Sequence, residues 1–192
     1  MDWKKCRADF PICIPIATQC THACGVAFAF KYRQQPRVAL CTLGDGGTSK
    51  GDFYEALNLA GTWKLPVLMV VINNQWAISV PRAAQSCAET LAQKAIAAGI
   101  GCEIVDGNDL LALRERLALA LERVRAGEPY LIEARTYRLG DHTTADDASR
   151  YRSAEEVAEQ LSADPVLRTA SFDRATGTFT VPARSVAVFI RA

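Results

Sequence analysis

The chain is predicted to fold as an α/β protein around a mostly parallel sheet, and three features of its 192 residues predict this. Short apolar runs alternate with segments of helical periodicity, a pattern that calls for parallel strands joined by right-handed crossovers. One run, 67–72, is apolar throughout, as a strand covered on both faces must be. A glycine-rich turn, Gly44-Asp45-Gly46-Gly47, directly follows another apolar run and leads into a helical segment.

The elements follow in order. Residues 12–17 read as a short extended entry. Positions 18–33 suit a helix whose Ala23, Gly25, Ala27 and Ala29 permit close packing, and Gln34-Gln35-Pro36 ends it. A strand is predicted over 37–43 and a helix over 52–64. That helix stops before Pro66, because the residue preceding a proline avoids the helical region. The strand 67–72 comes next, and Pro81 breaks the segment after it. A helix over 88–98 is closed by Gly99, and a strand occupies 102–105. Asp106-Gly107-Asn108-Asp109 makes a turn and an N-cap for a long helix, 109–125. Leucines 110, 113, 117 and 121 keep the spacing of a buried stripe along it. Gly127 ends that helix, and 130–134 is a strand. Over 138–152 the periodicity disappears and Asp, Thr, Ser, Gly and Arg dominate, which marks a long loop. A helix follows at 153–161. Finally, Thr178-Phe179-Thr180-Val181 and 185–190 flank Pro182-Ala183-Arg184 as a C-terminal β-hairpin.

Composition narrows the function classes. This length suits one domain with a substantial core. A formal net charge of +1 points away from nucleic acid and from strongly charged partner surfaces. No apolar run approaches the roughly 20 residues needed to span a membrane. The first residues carry basic side chains without an apolar signal core behind them, so a cytoplasmic protein is expected. Seven cysteines, at 6, 13, 20, 24, 41, 87 and 102, are odd in number and irregularly spaced. That argues against a zinc site or a complete disulfide framework. Cys20 and Cys24 share a helix face, but two thiols alone make a poor metal site, so they read as small buried apolar residues.

The order strand, Gly44-Asp45-Gly46-Gly47, helix, strand, Asn73-Asn74 supplies what a diphosphate–Mg²⁺ site needs. Glycines let the backbone approach phosphate oxygens, and a helix N-terminus offers N–H groups to an anion. The Asp45 carboxylate and the Asn74 amide oxygen are hard ligands suited to Mg²⁺. Parallel strands would place both residues at neighbouring carboxyl ends, where open α/β sheets bind ligands. On spacing alone, the same residues also read as a glycine turn and a polar strand end in any Rossmann-like sheet. A rival class rests on Gly47-Thr48-Ser49-Lys50-Gly51, which matches a hydrolase nucleophile elbow. Ser49, then Asp106 or Asp141, then His142 even come in hydrolase order. The context opposes this, since an elbow follows its strand directly and residues 44–48 intervene here.

The text around these motifs carries a resemblance. The run from Gly44 through Gly51-Asp52-Phe53-Tyr54-Glu55-Ala56 is similar to the alpha subunit of the thiamine-diphosphate-dependent 2-oxoacid dehydrogenases. Asn73-Asn74-Gln75-Trp76-Ala77-Ile78-Ser79 is similar too, with its second Asn 29 positions after the Asp (45 to 74). The bacterial pyruvate dehydrogenase alpha subunit is the nearest likeness. The resemblance implies a Rossmann-like thiamine-diphosphate-binding module. It implies Mg²⁺ held by Asp45, the Asn74 side chain and the Trp76 carbonyl, with the diphosphate against the backbone of Gly46 and Gly47. Ile14 and Ile16 would line the aminopyrimidine pocket. His142, in the loop Tyr137-Arg138-Leu139-Gly140-Asp141-His142-Thr143-Thr144, would be a catalytic and cofactor-contacting imidazole, which titrates near neutrality. Animal members of the family are phosphorylated in this loop, where Thr143 and Thr144 offer hydroxyls, but nothing in the sequence indicates a kinase. His22 aligns with a frequent family position and reads as a packing or capping residue.

The implied reaction is oxidative decarboxylation of a 2-oxoacid, nearest to pyruvate, by an oligomer. A dehydrogenase beta subunit would supply the activating Glu, and a lipoyl-bearing acyltransferase would receive the acyl group. The likeness covers 11–168, and a full alpha subunit is nearly twice the length of this chain. A catalytically inactive remnant, or a module that only binds a beta subunit, is therefore the alternative expectation. In the stretch 169–192 the sequence instead resembles the terminal strands of an α-amylase-type glycoside hydrolase such as pullulanase.

Overall fold

The computed structural model describes residues 14–163 and two short strands, Ser171–Asp173 and Thr178–Thr180. Helix α1 spans Thr18–Tyr32 and leads to strand β1, Ala39–Gly44. A 3₁₀ turn over Asp45–Ser49 links β1 to α2, Gly51–Trp63. Strand β2, Val67–Asn73, is followed by a two-rung hairpin, β3 (Trp76–Ala77) and β4 (Val80–Pro81). Two single-turn helices come next, α3 (Arg82–Gln85) and α4 (Gln93–Ile96). Then come β5 (Gly101–Asp106), α5 (Leu110–Arg125), β6 (Tyr130–Arg135) and α6 (Ala154–Ala163).

Strands β1, β2, β6 and β5 form one sheet in that spatial order, and every neighbouring pair is parallel. The expected doubly wound architecture is present. One face packs α1, α2 and the segment around α4 through Cys20, Cys24, Phe53, Leu57, Leu91 and Ala95. The other face meets α5 through Ala120 and Val124, with Leu113, Leu117 and Leu121 partly buried. β2 and β6 lie inside the sheet and are buried almost throughout, whereas edge strand β1 alternates buried and exposed positions. Leu110 is exposed, because the packing of α5 begins one turn later. The buried cysteines behave as small apolar groups: burial pushes the Cys24 thiol up to about 11, and its Sγ donates to the Ala56 carbonyl at 3.3 Å.

Some boundaries differ from the sequence reading, for local reasons. Residues 14–17 form a bend and turn rather than an extended entry, with Ala17 at φ +66°. The single helix expected over 88–98 is only the short α4. A continuous helix would bond the Ala92 N–H to the Ala88 carbonyl. Here that N–H donates to the Glu133 carboxylate at 2.8 Å, and the Ala88 carbonyl accepts the Arg82 guanidinium. Both halves of the helical bond are thus taken by side chains. Gly99 does close the segment, in the left-handed conformation at φ +68°. His22 is exposed on α1 rather than packed. At the C-terminus, β7 (Ser171–Asp173) and β8 (Thr178–Thr180) pair antiparallel. The arm expected at 185–190 lies outside the described residues.

Among the described residues, no helix is long and apolar enough to cross a membrane.

Candidate functional site

The parallel register brings the two halves of the predicted site together. β1 and β2 run side by side with Gly44 opposite Ile72, so the 45–49 turn and the Asn73-Asn74 loop leave the sheet at the same end. The contact is tight. A Cβ on Gly46 would meet the Ala77 Cβ at 2.7 Å, so glycine is what lets the turn lie against β3. The chain reverses into that hairpin through two non-glycine residues in the left-handed region, Gln75 (φ +73°) and Ile78 (φ +54°). Such backbone strain persists only where the surroundings enforce it.

Asp45 is 3% exposed. Its Oδ2 accepts from the Gln85 side-chain amide at 3.3 Å, and among the described residues it forms no ion pair. Burial raises its carboxyl above the ordinary carboxylate range. The Gln85 amide, the backbone N–H groups of Asp45 and Asn74, and the more distant Arg138 charge pull the other way. Asn74 accepts the Trp76 N–H on Oδ1 at 3.1 Å, which leaves that oxygen a second lone pair. Asn73 Nδ2 donates to the buried Glu133 carboxylate at 2.6 Å, while Asn73 Oδ1 accepts from Gln75 N–H at 3.2 Å. Trp76 is buried, its ring tilted against that of Tyr151 with centroids 5.6 Å apart, and its indole N–H on Glu156 at 3.3 Å.

A buried carboxylate without a cation, beside an amide oxygen and a tightly turned backbone, fits a hard divalent ion carrying a diphosphate. No group of three His, Cys, Asp or Glu among the described residues forms a metal cluster. A cation here would therefore rest on Asp45, on neutral oxygens and on its anionic ligand.

Arg138 connects this centre to the 138–152 loop. Its backbone N–H donates to the Asn74 carbonyl at 3.2 Å. Its guanidinium donates to the Ile78 carbonyl at 2.7 Å and to Tyr151 Oη at 2.9 Å, and it lies 3.5 Å from the Trp76 carbonyl. Nη1 also comes within 3.5 Å of His142 Nδ1, which puts that imidazole on the loop side of the centre, exposed. Tyr151 Oη donates its own hydrogen bond to Asp146, which also accepts the His142 backbone N–H at 2.8 Å. The Tyr151 hydrogen bond, followed by that of His142, holds the Asp146 carboxyl below the usual range. Buried Arg152 closes the loop by donating to the carbonyls of Arg138, Leu139 and Gly140.

Ile14 and Ile16 are exposed at the chain's entry, and Ile16 approaches the position a Gly47 Cβ would take at 3.7 Å. Beside the centre, a cleft of about 1000 Å³ opens at the carboxyl ends of β5 and β6, between Trp76, Arg82, Asp106, Arg135 and Glu156. The hydrolase reading gains no geometry: Asp106 accepts from Asn108 N–H, Asp141 accepts from Ala148 N–H, and no hydrogen bond joins Ser49 to His142.

The sequence reading missed Gln85, Lys94, Glu133 and Arg138. Two of them left a signal. Glu133 is a carboxylate inside an apolar strand, and Lys94 falls in phase with the buried residues Leu91 and Ala95.

Comparison with known proteins follows this geometry. The family model described as the dehydrogenase E1 component matches residues 3–181. The 3-methyl-2-oxobutanoate dehydrogenase subunit alpha of Mycobacterium tuberculosis is 50% identical over 165 residues, covering 85% of this chain and 44% of the relative. The pyruvate dehydrogenase E1 component subunit alpha of Staphylococcus aureus is 51% identical over 161 residues, covering 83% of this chain and 44% of the relative. The chain thus spans under half the length of these curated relatives.

Proposed function

The chain belongs to the dehydrogenase E1 component family, and on that premise we propose that it serves as the alpha part of a thiamine-diphosphate-dependent 2-oxoacid dehydrogenase. The observation that carries this reading is the buried Asp45 carboxylate, which has no ion-pair partner among the described residues and lies where the 45–49 turn meets the Asn74 loop. Asp45, the Asn74 amide oxygen and the Trp76 carbonyl would hold Mg²⁺, and the backbone of Gly46 and Gly47 would face the diphosphate. Bound there, thiamine diphosphate supplies the chemistry by which a 2-oxoacid loses CO₂. The protein's part is to orient the cofactor and offset its charge. His142, steadied by Arg138 and by its own N–H to Asp146, would hold or move a proton at the mouth of the site.

Relatives named for pyruvate and for 3-methyl-2-oxobutanoate are almost equally similar, so the substrate class is a short or branched 2-oxoacid, pyruvate among them. The alpha designation of those relatives supports a beta-chain partner, and a lipoyl-bearing acyltransferase would accept the acyl group. The family match runs on to residue 181, and the stretch beyond it is given no role in this reading.

Calorimetry with thiamine diphosphate tests the proposal, with and without Mg²⁺ and a beta subunit. Heat of binding that requires Mg²⁺ is the expected result. Binding indifferent to Mg²⁺, or none in either setting, would count against the site.

A further inference from the structure

Lys94 is buried, 8% exposed, on a segment otherwise lined by Leu91, Ala92 and Ala95. Its ammonium donates to the Thr48 carbonyl at 2.9 Å and to Thr48 Oγ1 at 3.1 Å, and it stands 5.2 Å from the centre of the Tyr54 ring. Thr48 Oγ1 in turn donates to the Asp45 carbonyl at 2.7 Å. The ammonium thus grips both ends of the 45–49 turn, one directly and one through a hydroxyl.

None of these partners is an anion. Of the two buried carboxylates among the described residues, Glu133 is committed to Asn73 Nδ2 and the Ala92 N–H, and Asp45 accepts the Gln85 amide on Oδ2. Among the described residues Lys94 forms no ion pair. A buried ammonium held only by dipoles is costly unless an opposite charge lies close. The proposed function puts a diphosphate against the backbone of Gly46 and Gly47, in the same turn whose Thr48 carbonyl Lys94 holds.

We infer that Lys94 is a positioning residue of the diphosphate site: it holds the 45–49 turn from behind, and the bound anion balances its charge across that turn. The inference rests on the diphosphate reading for its electrostatic half and on the observed hydrogen bonds for its mechanical half. The α4 segment then acts as a strut for both halves of the site. Through Lys94 it holds the Asp45 turn, and through the Ala92 N–H and Glu133 it holds Asn73 beside Asn74.

Three substitutions in the full 192-residue chain separate the two halves. Lys94→Arg keeps charge and donor, Lys94→Gln keeps a donor without charge, and Lys94→Met keeps neither. Amide hydrogen exchange over 45–50, without ligand, reads the mechanical half. Exchange in Lys94→Met should be at least about tenfold faster, with Lys94→Gln and Lys94→Arg near the parent. An unchanged Lys94→Met overturns the holding role. If Lys94→Met does not fold, Thr48→Val removes the hydroxyl link and should speed the same amides.

Titration with Mg²⁺ and thiamine diphosphate, and separately with Mg²⁺ and pyrophosphate, reads the electrostatic half. Lys94→Gln should bind both about tenfold more weakly, the size of one charge acting across a turn at a protein-like effective dielectric. Lys94→Arg should stay within about threefold. A Lys94→Gln chain that binds like the parent overturns the charge role while leaving the diphosphate site intact. A parent chain that binds neither probe, while the exchange result holds, overturns the diphosphate reading and the charge role together.

Discussion

Asp45 and Asp146 flank the same centre and are held in opposite ways. Asp45 is buried, accepts one neutral side-chain amide and has no ion-pair partner among the described residues, and burial raises its carboxyl above the ordinary range. Asp146 lies in the 138–152 loop, where the Tyr151 hydroxyl and the His142 N–H satisfy it and hold its carboxyl below that range. The difference assigns work to each region. The 45–49 turn keeps a charge unbalanced at a cost to the free protein, which a bound cation removes. The loop balances its own charges and keeps a shape. Environments that drive two carboxylates apart in this way commonly mark a working site.

The largest effect should come from removing the unbalanced charge. Asp45→Ala is expected to weaken Mg²⁺-dependent binding of thiamine diphosphate by roughly 10- to 150-fold, since a charge-assisted contact contributes roughly 1.5–3 kcal/mol. Asn74→Ala should follow, with a smaller loss. Isothermal calorimetry decides, and unchanged affinity in both variants would remove these residues from the site.

Glu133 extends the comparison into the core. It is fully buried and satisfies Asn73 and Ala92, so Glu133→Ala leaves two buried donors without partners. The expected loss is about 3 kcal/mol, seen as a melting point lower by roughly 6–12 °C for a chain of this size. Glu133→Gln should fall between that and the parent, because it keeps one acceptor oxygen but turns an amide donor toward donors. A melting curve that does not move in either variant would mean the carboxylate carries no structural weight.

The two carboxylates should also separate by the sign of their pH response. Asp45 is raised when folded, so its protonated form favours the metal-free fold at low pH, and that contribution is lost as pH rises through its raised pKa. Asp146 is lowered when folded, so its contribution is present above its unfolded pKa and is lost as pH falls through its folded one. Asp45→Asn is therefore expected to stabilise the metal-free chain at neutral pH, by about 0.5–2 kcal/mol as single stabilising changes do, while impairing Mg²⁺ binding. In the parent, apparent Mg²⁺ affinity should fall as acid protonates Asp45. Denaturant curves at several pH values read the first effect, and metal titrations at the same values read the second. A destabilised Asp45→Asn would show that the free protein already balances this charge.

How much of this was legible follows the same division. Asp45, Gly46, Gly47 and Asn74 could be read directly, because strand, turn and strand are contiguous in sequence and a parallel register leaves one way to set them side by side. Glu133 and Lys94 act across 60 and 46 positions from their partners, so only their odd placement among apolar neighbours hinted at them. The helix over 88–98 was misread for the same reason. Its alanines favour helix locally, and only the fold brings Glu133 and Arg82 to the Ala92 N–H and the Ala88 carbonyl. Arg138 stood in the quoted loop motif, yet its bonds to Ile78, Tyr151 and Asn74 depend on how the β3–β4 hairpin folds back.

The smallest effect, and the sharpest test of the loop's side of the comparison, is Tyr151→Phe. Its hydroxyl accepts from Arg138 and donates to Asp146, so one oxygen links the Trp76 hairpin to the His142 segment. The phenyl ring would keep the tilted ring contact with Trp76, so the core should be untouched. Exposed charge networks contribute little to global stability, typically within about 1 kcal/mol. The melting point should therefore barely move, and Mg²⁺-dependent cofactor binding should weaken by no more than about threefold. The local response should be plain: amides over 138–152 should exchange faster, and the acid response assigned to Asp146 should move back toward the ordinary carboxylate range. If binding instead falls as far as in Asp45→Ala, the loop belongs to the charge-balancing half of the site, and the division between the two regions fails.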